Sequence, residues 1–244
     1  MYALVVVAHG ASLDGVAERL GPSDRTRLAL ADEVARGRFL AGRSAILTAV
    51  SRLVGSPVDA LTVDAACPDC GGPHGRPAVS GVPGGVHVAL AHGGNHAFAV
   101  AARMPVGIDA EPRSTPRPRL DAIRDVTGHR RGDPLARWTA IEAILKADGR
   151  GLRVDPRHVR VGLRGGRVVD RGIRYRLQRH RDVDGCRVAI AWAQVPDRRD
   201  RSGPAGAGSV GSAPSYSHAS KSPSSGAFAN PAANRRKSSV DAVP

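Results

Sequence analysis

One short stretch of this chain constrains its fold more than any other, because it joins an apolar strand pattern to two acidic residues. Residues 106–112 read Val-Gly-Ile-Asp-Ala-Glu-Pro, so Asp109 and Glu111 stand two positions apart. Successive side chains of a β-strand alternate between its two faces, and both carboxylates therefore project from the same face. The pattern predicts a buried strand that ends in a pair of carboxylates, the alternative being an ordinary solvated strand end.

A second stretch predicts a helix that carries further charged groups. Residues 138–146 read Trp-Thr-Ala-Ile-Glu-Ala-Ile-Leu-Lys, in which Trp138, Glu142 and Lys146 recur at intervals of four. That interval places all three side chains on one stripe of a helix. If the helix packs beside the strand end, three carboxylates meet, and oxygen ligands of this kind suit Mg²⁺. We expect Trp138 itself to be a core residue.

Composition draws attention to Lys146. Residues 1–196 contain 28 Arg but only this one Lys, four positions after Glu142. An ammonium group is a compact point charge, unlike the planar guanidinium group of Arg. We interpret Lys146 as a phosphate-binding group beside the metal, which suggests chemistry on a phosphate ester. The alternative is a surface ion pair with Glu142, worth about 0.3–0.5 kcal/mol.

The charge balance favours an acidic partner. The chain has 36 Lys and Arg against 22 Asp and Glu, a formal net charge of +14. A nucleic-acid-binding protein is a less favoured alternative that only the charge supports, because 3% of the residues are aromatic and no recognition motif is present. No apolar run approaches the length of a membrane span, and three cysteines provide no disulfide framework. We therefore predict a cytoplasmic protein without a membrane partner.

Strand and helix patterns predict an α+β fold with two similar halves, residues 1–105 and residues 106–196. We predict that the candidate metal site lies at the interface of these halves. From residue 197 onward the composition changes to Ser, Ala, Gly and Pro, with a basic cluster at 235–237. Such a segment has too little apolar surface to form a core, so we predict that residues 197–244 are a disordered tail.

Several short motifs, taken in order, resemble those of the 4′-phosphopantetheinyl transferases. The matching pieces are Arg38-Phe-Leu-x-Gly-Arg43, His74-Gly-Arg-Pro77, Ala91-His-Gly-Gly94, Val106-Gly-Ile-Asp-Ala-Glu111, Trp138-x-x-x-Glu142-Ala-x-x-Lys146 and Gly149-x-Gly151-Leu152. They are most similar to the monomeric type that activates polyketide and nonribosomal peptide synthases. The resemblance implies a pseudo-dimer of two α/β halves.

The resemblance also implies a reaction, in which phosphopantetheine passes from coenzyme A to a serine of an acyl or peptidyl carrier protein and 3′,5′-ADP is released. It further implies a role for each matching residue. The phosphates of coenzyme A would be bound by Arg43, Arg76 and His92, with His92 at the 3′-phosphate. Mg²⁺ would be held by Asp109, Glu111 and Glu142. The catalytic residues would be Glu142, acting directly or through a metal-bound water, and Lys146, which would also hold a phosphate oxygen.

Three features depart from the family pattern. Ile141 stands where the family has a lysine, Ala91 where it has a serine, and the connector at 112–137 is short. These departures keep open a second function, that of a relative which binds coenzyme A or a carrier protein without transfer. If position 141 faces coenzyme A, the Ile141→Lys substitution should add a phosphate contact. If Ile141 is instead a packed residue, the same substitution should destabilise the protein.

Cys67-Pro-Asp-Cys70 and His74 have the spacing of half a zinc site. A structural zinc ion usually has four protein ligands, and no second pair follows at a suitable distance along the chain. We therefore interpret residues 67–85, which are rich in Gly and Pro, as an irregular loop with two free thiols.

Overall fold

The computed structural model describes residues 1–194. The predicted disordered tail, residues 197–244, lies outside the described residues. The helices are α1 (Pro22–Ala29), α2 (Glu33–Val54), α3 (Arg117–Thr127) and α4 (Pro134–Asp148). The strands are β1 (Tyr2–Ala8), β2 (Thr62–Asp64), β3 (Ala78–Ser80), β4 (His87–Gly93), β5 (His96–Ala102), β6 (Val106–Pro112), β7 (Val159–Val161), β8 (Gly165–Val168), β9 (Arg174–Val183) and β10 (Cys186–Ala193). None of the helices in this described part is long and apolar enough to cross a membrane.

The strands form three sheets. The first has the order β1-β5-β4, the second the order β6-β10-β9-β8-β7, and β2 pairs with β3 alone. Every pairing within these sheets is antiparallel. The predicted mixture of helix and strand is confirmed, whereas the pseudo-dimer arrangement stays a prediction.

Helix α2 packs on one face of the first sheet. It begins after Asp32, whose carboxylate accepts a hydrogen bond of 2.7 Å from the backbone N–H of Ala35. It ends at Gly55, which has a left-handed conformation with φ of +74°. The helix and β5 approach closely because small residues line both surfaces. The fully buried alanines of this contact are Ala41, Ala45 and Ala49 on the helix and Ala97, Ala99 and Ala101 on the strand.

Helix α4 packs on the second sheet, against β6 and β10. Its bounds agree with the sequence: the Asp133 carboxylate caps the first turn by accepting from the backbone N–H groups of Leu135 and Ala136, and Gly149 ends the helix with φ of +89°. Gly107 of β6 allows the helix to lie against the strand. A Cβ atom at Gly107 would lie 2.0 Å from the carbonyl oxygen of Ala143.

We expect the Gly107→Ala substitution to push α4 away from β6. Two backbone groups of the helix would have to move, and overpacking of this kind costs about 1–3 kcal/mol. Urea denaturation should therefore give a lower free energy of unfolding than for the wild type. Gly10→Ala is the matched control, because nothing lies within 4 Å of a Cβ atom at Gly10 in the described part of the chain. Equal stability of both variants would contradict the close contact.

The opposite faces of the two main sheets share one apolar core. Its fully buried members include Phe98, Val100, Val106, Ile108, Val188 and Ile190. Strand β4 runs beside β6 in this arrangement, and a Cβ atom at Gly93 would lie 3.1 Å from the carbonyl oxygen of Ala110. The last residues of the two strands are therefore neighbours, although the strands belong to different sheets.

The segment between Glu111 and Trp138 is more than a connector, because it contains α3. Two prolines lie at the start of this helix. Pro116 is its N-cap and Pro118 lies in its first turn, where a missing backbone N–H breaks no hydrogen bond. Gly128 ends the helix with φ of +68°. Helix α3 covers part of α4 and brings additional side chains to the end of β6.

Candidate metal and phosphate site

The two acidic residues of β6 lie on the face of the strand that meets α4, as the alternation of side chains predicted. Lys146 Nζ donates a hydrogen bond of 2.8 Å to Asp109 Oδ1 and lies 3.7 Å from Glu142 Oε2. The charge of Glu111 acts on both Glu142 and Lys146. The structure thus brings together the four residues that the strand and helix patterns singled out.

The Asp109 carboxylate has one oxygen atom that could bind a cation. Its side chain is only 11% exposed; Oδ1 is bound by Lys146, while Oδ2 is buried and has no hydrogen-bond partner among the described residues. A buried carboxylate oxygen without a partner costs free energy, which a bound cation would recover. The carboxylates of Glu111 and Glu142 are nearly as buried, with side chains 17% and 14% exposed. This set of hard oxygen donors fits Mg²⁺ by ligand type.

The carboxylate oxygens of Asp109, Glu111 and Glu142 do not all lie within 4.8 Å of one another. Among the described residues, the group of His, Cys, Asp and Glu whose ligand atoms all lie within 4.8 Å of one another is Cys67, Cys70 and His74. Lys146 is instead the cation in contact with Asp109. Binding of Mg²⁺ by Asp109, Glu111 and Glu142 therefore requires side-chain movement around a fixed strand and helix.

Proton affinities in the site reflect burial and crowded negative charge. Burial, and then the charges of Asp109 and Glu111, raise the pKa of Glu142 against the opposing charge of Lys146. Burial and the charge of Asp109 likewise raise the pKa of Glu111. Burial alone would lower the pKa of Lys146, but Asp109 and Glu142 raise it overall, so this residue stays an ammonium group. The site thus contains carboxylates that accept protons more readily than usual.

Helix α3 contributes Arg119, a residue that no sequence pattern singled out. Arg119 Nη2 donates a hydrogen bond of 3.2 Å to Glu111 Oε1. The guanidinium group also lies 6.0 Å from the centre of the Trp138 ring. Trp138 is 8% exposed and packs with Leu120 and Ile123 of α3, which confirms it as a core residue. Arg119 therefore holds Glu111 at the edge of the site.

His92 lies near the end of β4, on the face that meets α2. Its Nδ1 lies 3.2 Å from Nε2 of His9, and a Cβ atom at Gly42 of α2 would lie 3.2 Å from its Nε2. Burial, and then the positive charges of Arg38, His9, Arg43 and Lys146, lower the pKa of His92 to about 3. His92 is therefore neutral near pH 7, so it offers a ring N–H as a hydrogen-bond donor rather than a charge.

The lowered pKa of His92 predicts how stability depends on pH. The unfolded chain protonates this residue at about pH 6.5, the folded protein only at about 3. Between these values the unfolded state binds more protons, so the contribution of His92 to stability is lost as pH falls. In His92→Asn this loss is absent. We expect its free energy of unfolding, measured by urea denaturation at successive pH values, to fall less steeply below about pH 6.5; equal slopes would contradict the assignment.

The two predicted phosphate-binding arginines have different environments. Arg43 is 3% exposed, and its guanidinium group donates hydrogen bonds of 2.6 and 2.7 Å to the fully buried Asp24. The structure therefore does not bring Arg43 to the surface of the site. Arg76 donates 3.1 and 3.4 Å hydrogen bonds to the carbonyl oxygens of Val106 and Val88, near the first residues of β6 and β4. It lies at the other end of the strands that carry Asp109 and His92.

Two residues that depart from the family pattern, Ile141 and Ala91, have buried side chains. Ile141 has no exposed surface and belongs to the core between α4 and the second sheet, so the structure favours the interpretation of a packed residue. Ala91 is 5% exposed and faces the core between the two main sheets, away from the side occupied by His92. Neither position presents its side chain to solvent at the site.

Some neighbours of the predicted residues carry no local sequence signal. Asp24, His9 and Arg119 stand apart along the chain from the groups they contact, and no spacing rule links them. Arg38 is different, because it belongs to the motif that ends at Arg43 and its exposed charge acts on His92.

In comparisons with known proteins, no family model and no curated protein matched the chain.

Proposed function

We propose that this protein is a Mg²⁺-dependent 4′-phosphopantetheinyl transferase that uses coenzyme A to modify a serine of an acyl or peptidyl carrier protein. The observation that carries the proposal is the convergence of Asp109, Glu142 and Lys146, in which the buried Asp109 Oδ2 has no hydrogen-bond partner within residues 1–194. The proposed fold is the pseudo-dimer of this family. It is supported by the presence, in each half, of a helix packed on an antiparallel sheet.

In the proposed reaction, the serine oxygen forms a bond to the phosphorus on the pantetheine side of the coenzyme A pyrophosphate. The bond from that phosphorus to the bridging oxygen breaks, and 3′,5′-ADP leaves. Glu142 accepts the serine proton, a role open to a carboxylate at this position; without Mg²⁺ its pKa is raised by burial and by neighbouring carboxylates. Mg²⁺, when bound by Asp109, Glu111 and Glu142, neutralises negative charge on the phosphate oxygens.

The remaining groups bind and orient the donor. Lys146 provides a permanent positive charge for a phosphate oxygen, because its pKa is raised and its side chain is 28% exposed. Neutral His92 donates a hydrogen bond to the 3′-phosphate, and the exposed Arg38 adds positive charge beside it. Arg76 binds a phosphate further from the carboxylates, in keeping with its position at the start of β4 and β6.

Charge also supports a carrier protein as the second substrate. Residues 1–196 contain 29 Lys and Arg and 19 Asp and Glu, so their net charge is 29 − 19 = +10. Acidic carrier proteins would be attracted to such a surface, which raises the rate of encounter more than the final affinity. We propose that the enzyme acts in the cytoplasm as a monomer.

Intact-protein mass spectrometry tests the proposal. The full-length protein is incubated with coenzyme A, Mg²⁺ and a panel of acidic apo carrier proteins. We expect the mass of at least one carrier to increase by that of phosphopantetheine, and expect no increase when the acceptor serine is replaced by alanine or when Mg²⁺ is chelated. A reference transferase confirms that every carrier is competent. If the reference modifies the panel and this protein modifies none of it, the proposal is wrong.

A second candidate function is binding of coenzyme A without transfer. The observation that favours it is the complete burial of Ile141, which stands where the family has a lysine. Loss of one charge-assisted phosphate contact costs about 1.5–3 kcal/mol. Calorimetric titration distinguishes the two functions, because this alternative predicts coenzyme A binding without any increase in carrier mass.

A further inference from the structure

The loop between β2 and β3 contains a group of three metal-binding side chains that the proposed reaction does not use. Cys67, Cys70 and His74 place their ligand atoms within 4.8 Å of one another. Cys70 Sγ lies 3.1 Å from Nε2 of His74. Ligand atoms around one tetrahedral zinc ion lie about 3.3–3.8 Å apart, so only small movements separate this arrangement from a metal site.

The backbone of the loop holds these side chains together. Between Cys67 and Gly71 the chain reverses, with a hydrogen bond of 2.8 Å from the Gly71 N–H to the Cys67 carbonyl oxygen, and the Cys67 N–H donates one of 2.9 Å to the carbonyl oxygen of Gly72. Gly71 has φ of +70°, which side chains with a Cβ atom rarely adopt. The turn therefore brings both sulfur atoms to the same side of the loop.

The second half of the loop is anchored to the first. The Gly75 N–H donates a hydrogen bond of 2.7 Å to the carbonyl oxygen of Ala65. A Cβ atom at Gly75 would lie only 2.1 Å from the carbonyl oxygen of Ala66, so the residue after His74 has to be glycine for this approach. His74 is thus returned to the two cysteines by backbone contacts that do not depend on the metal.

The chemistry of these groups selects a particular metal. Two thiolates and one imidazole are borderline-soft ligands that suit Zn²⁺ rather than Mg²⁺ or Ca²⁺. Spacing along the chain had argued against zinc because it supplies no second pair of ligands. Three protein ligands are sufficient when water completes the tetrahedron.

We propose that Cys67, Cys70 and His74 bind one Zn²⁺ ion through their two sulfur atoms and one ring nitrogen, with water as the fourth ligand. Binding displaces the thiol protons, which are released to solvent. The ion closes the loop between β2 and β3 two residues before Arg76. It thereby fixes the segment from which Arg76 reaches the carbonyl oxygens of Val88 and Val106.

Metal analysis tests the proposal independently of any transfer activity. Untagged full-length protein is equilibrated with Zn²⁺ under a non-chelating reductant, passed through gel filtration and analysed by plasma mass spectrometry. We expect about one zinc ion per chain for the wild type and less than about a tenth of that for Cys67→Ser and Cys70→Ser. Cys186→Ala is the matched control, because this buried cysteine lies in the core between the main sheets and should leave zinc binding unchanged.

Cobalt substitution provides a second measurement that needs no variant. Co²⁺ in the wild-type protein should show a sulfur-to-metal charge-transfer band and the intense visible bands of tetrahedral coordination. Absence of zinc from the wild type, or equal zinc contents in the wild type and both serine variants, would overturn the proposal. A cobalt spectrum without sulfur ligation would also overturn it, whether or not the serine variants fold.

Discussion

The Asp109→Asn variant should lose nearly all transfer of phosphopantetheine, with kcat/KM lowered by on the order of 10²–10³ or more. Within the described part of the chain, Asp109 binds Lys146 at 2.8 Å and keeps a second, buried oxygen without a hydrogen-bond partner. Replacing that oxygen by an amide nitrogen removes a proposed ligand for Mg²⁺ and a charge that holds the lysine. Initial rates of carrier modification at saturating Mg²⁺ provide the measurement.

Glu142→Gln should have a comparable effect, because Glu142 is proposed both as a metal ligand and as the proton acceptor. The matched control is Asp121→Asn in α3, an exposed carboxylate that pairs with Arg124 at 2.7 Å. It should retain nearly full activity. Melting curves of all three variants verify that they fold. Near-normal transfer by Asp109→Asn or Glu142→Gln would show that the residue in question is not part of the catalytic site.

The Ile141→Lys substitution should destabilise the protein by about 3–5 kcal/mol, the range for an unpaired buried charge. The residue has no exposed surface and lies in an apolar core with Ile144, Leu145 and Val168. A lysine there would have to bury its ammonium group or displace neighbouring side chains. Urea denaturation should show a large drop in the midpoint, and calorimetry should show no gain in coenzyme A affinity.

Ile141→Met is the matched control for this substitution. Methionine has a similar volume and no charge, so the change should cost less than about 1.5 kcal/mol. If Ile141→Lys has wild-type stability and binds coenzyme A more tightly, the lysine has reached the ligand. The packed-residue interpretation would then be wrong, and the family pattern at this position would apply to the protein.

Much of the candidate site could be predicted because its signals are local. Asp109 and Glu111 share a face through strand alternation, and Glu142 and Lys146 share a stripe through helical periodicity. The bounds of α4 follow from Asp133 and Gly149, since a helix needs partners for its first N–H groups and a left-handed residue at its end. Such rules involve residues within one turn or one strand, so a sequence is enough to apply them.

Other features could not be predicted because they depend on distant contacts. The fully buried ion pair of Arg43 and Asp24 joins α2 to α1, and its arginine resembles many others along the chain. Helix α3 lies in the segment predicted as a connector, because its prolines give no helix signal although the first turn of a helix tolerates them. The proximity of Cys67, Cys70 and His74 depends on how the loop between β2 and β3 folds back on itself, which their spacing along the chain does not set.

The sequence by itself determined which side chains share a face of β6 or of α4, because the geometry of a single strand or helix sets that relation. Only the tertiary structure decided that these two faces meet and that Ile141 points into the core. It likewise decided that burial, and then the charges of Arg38 and other cations, lower the pKa of His92. The physical reason is that burial and electrostatic fields arise from packing between elements, and each depends on residues that the local pattern does not contain.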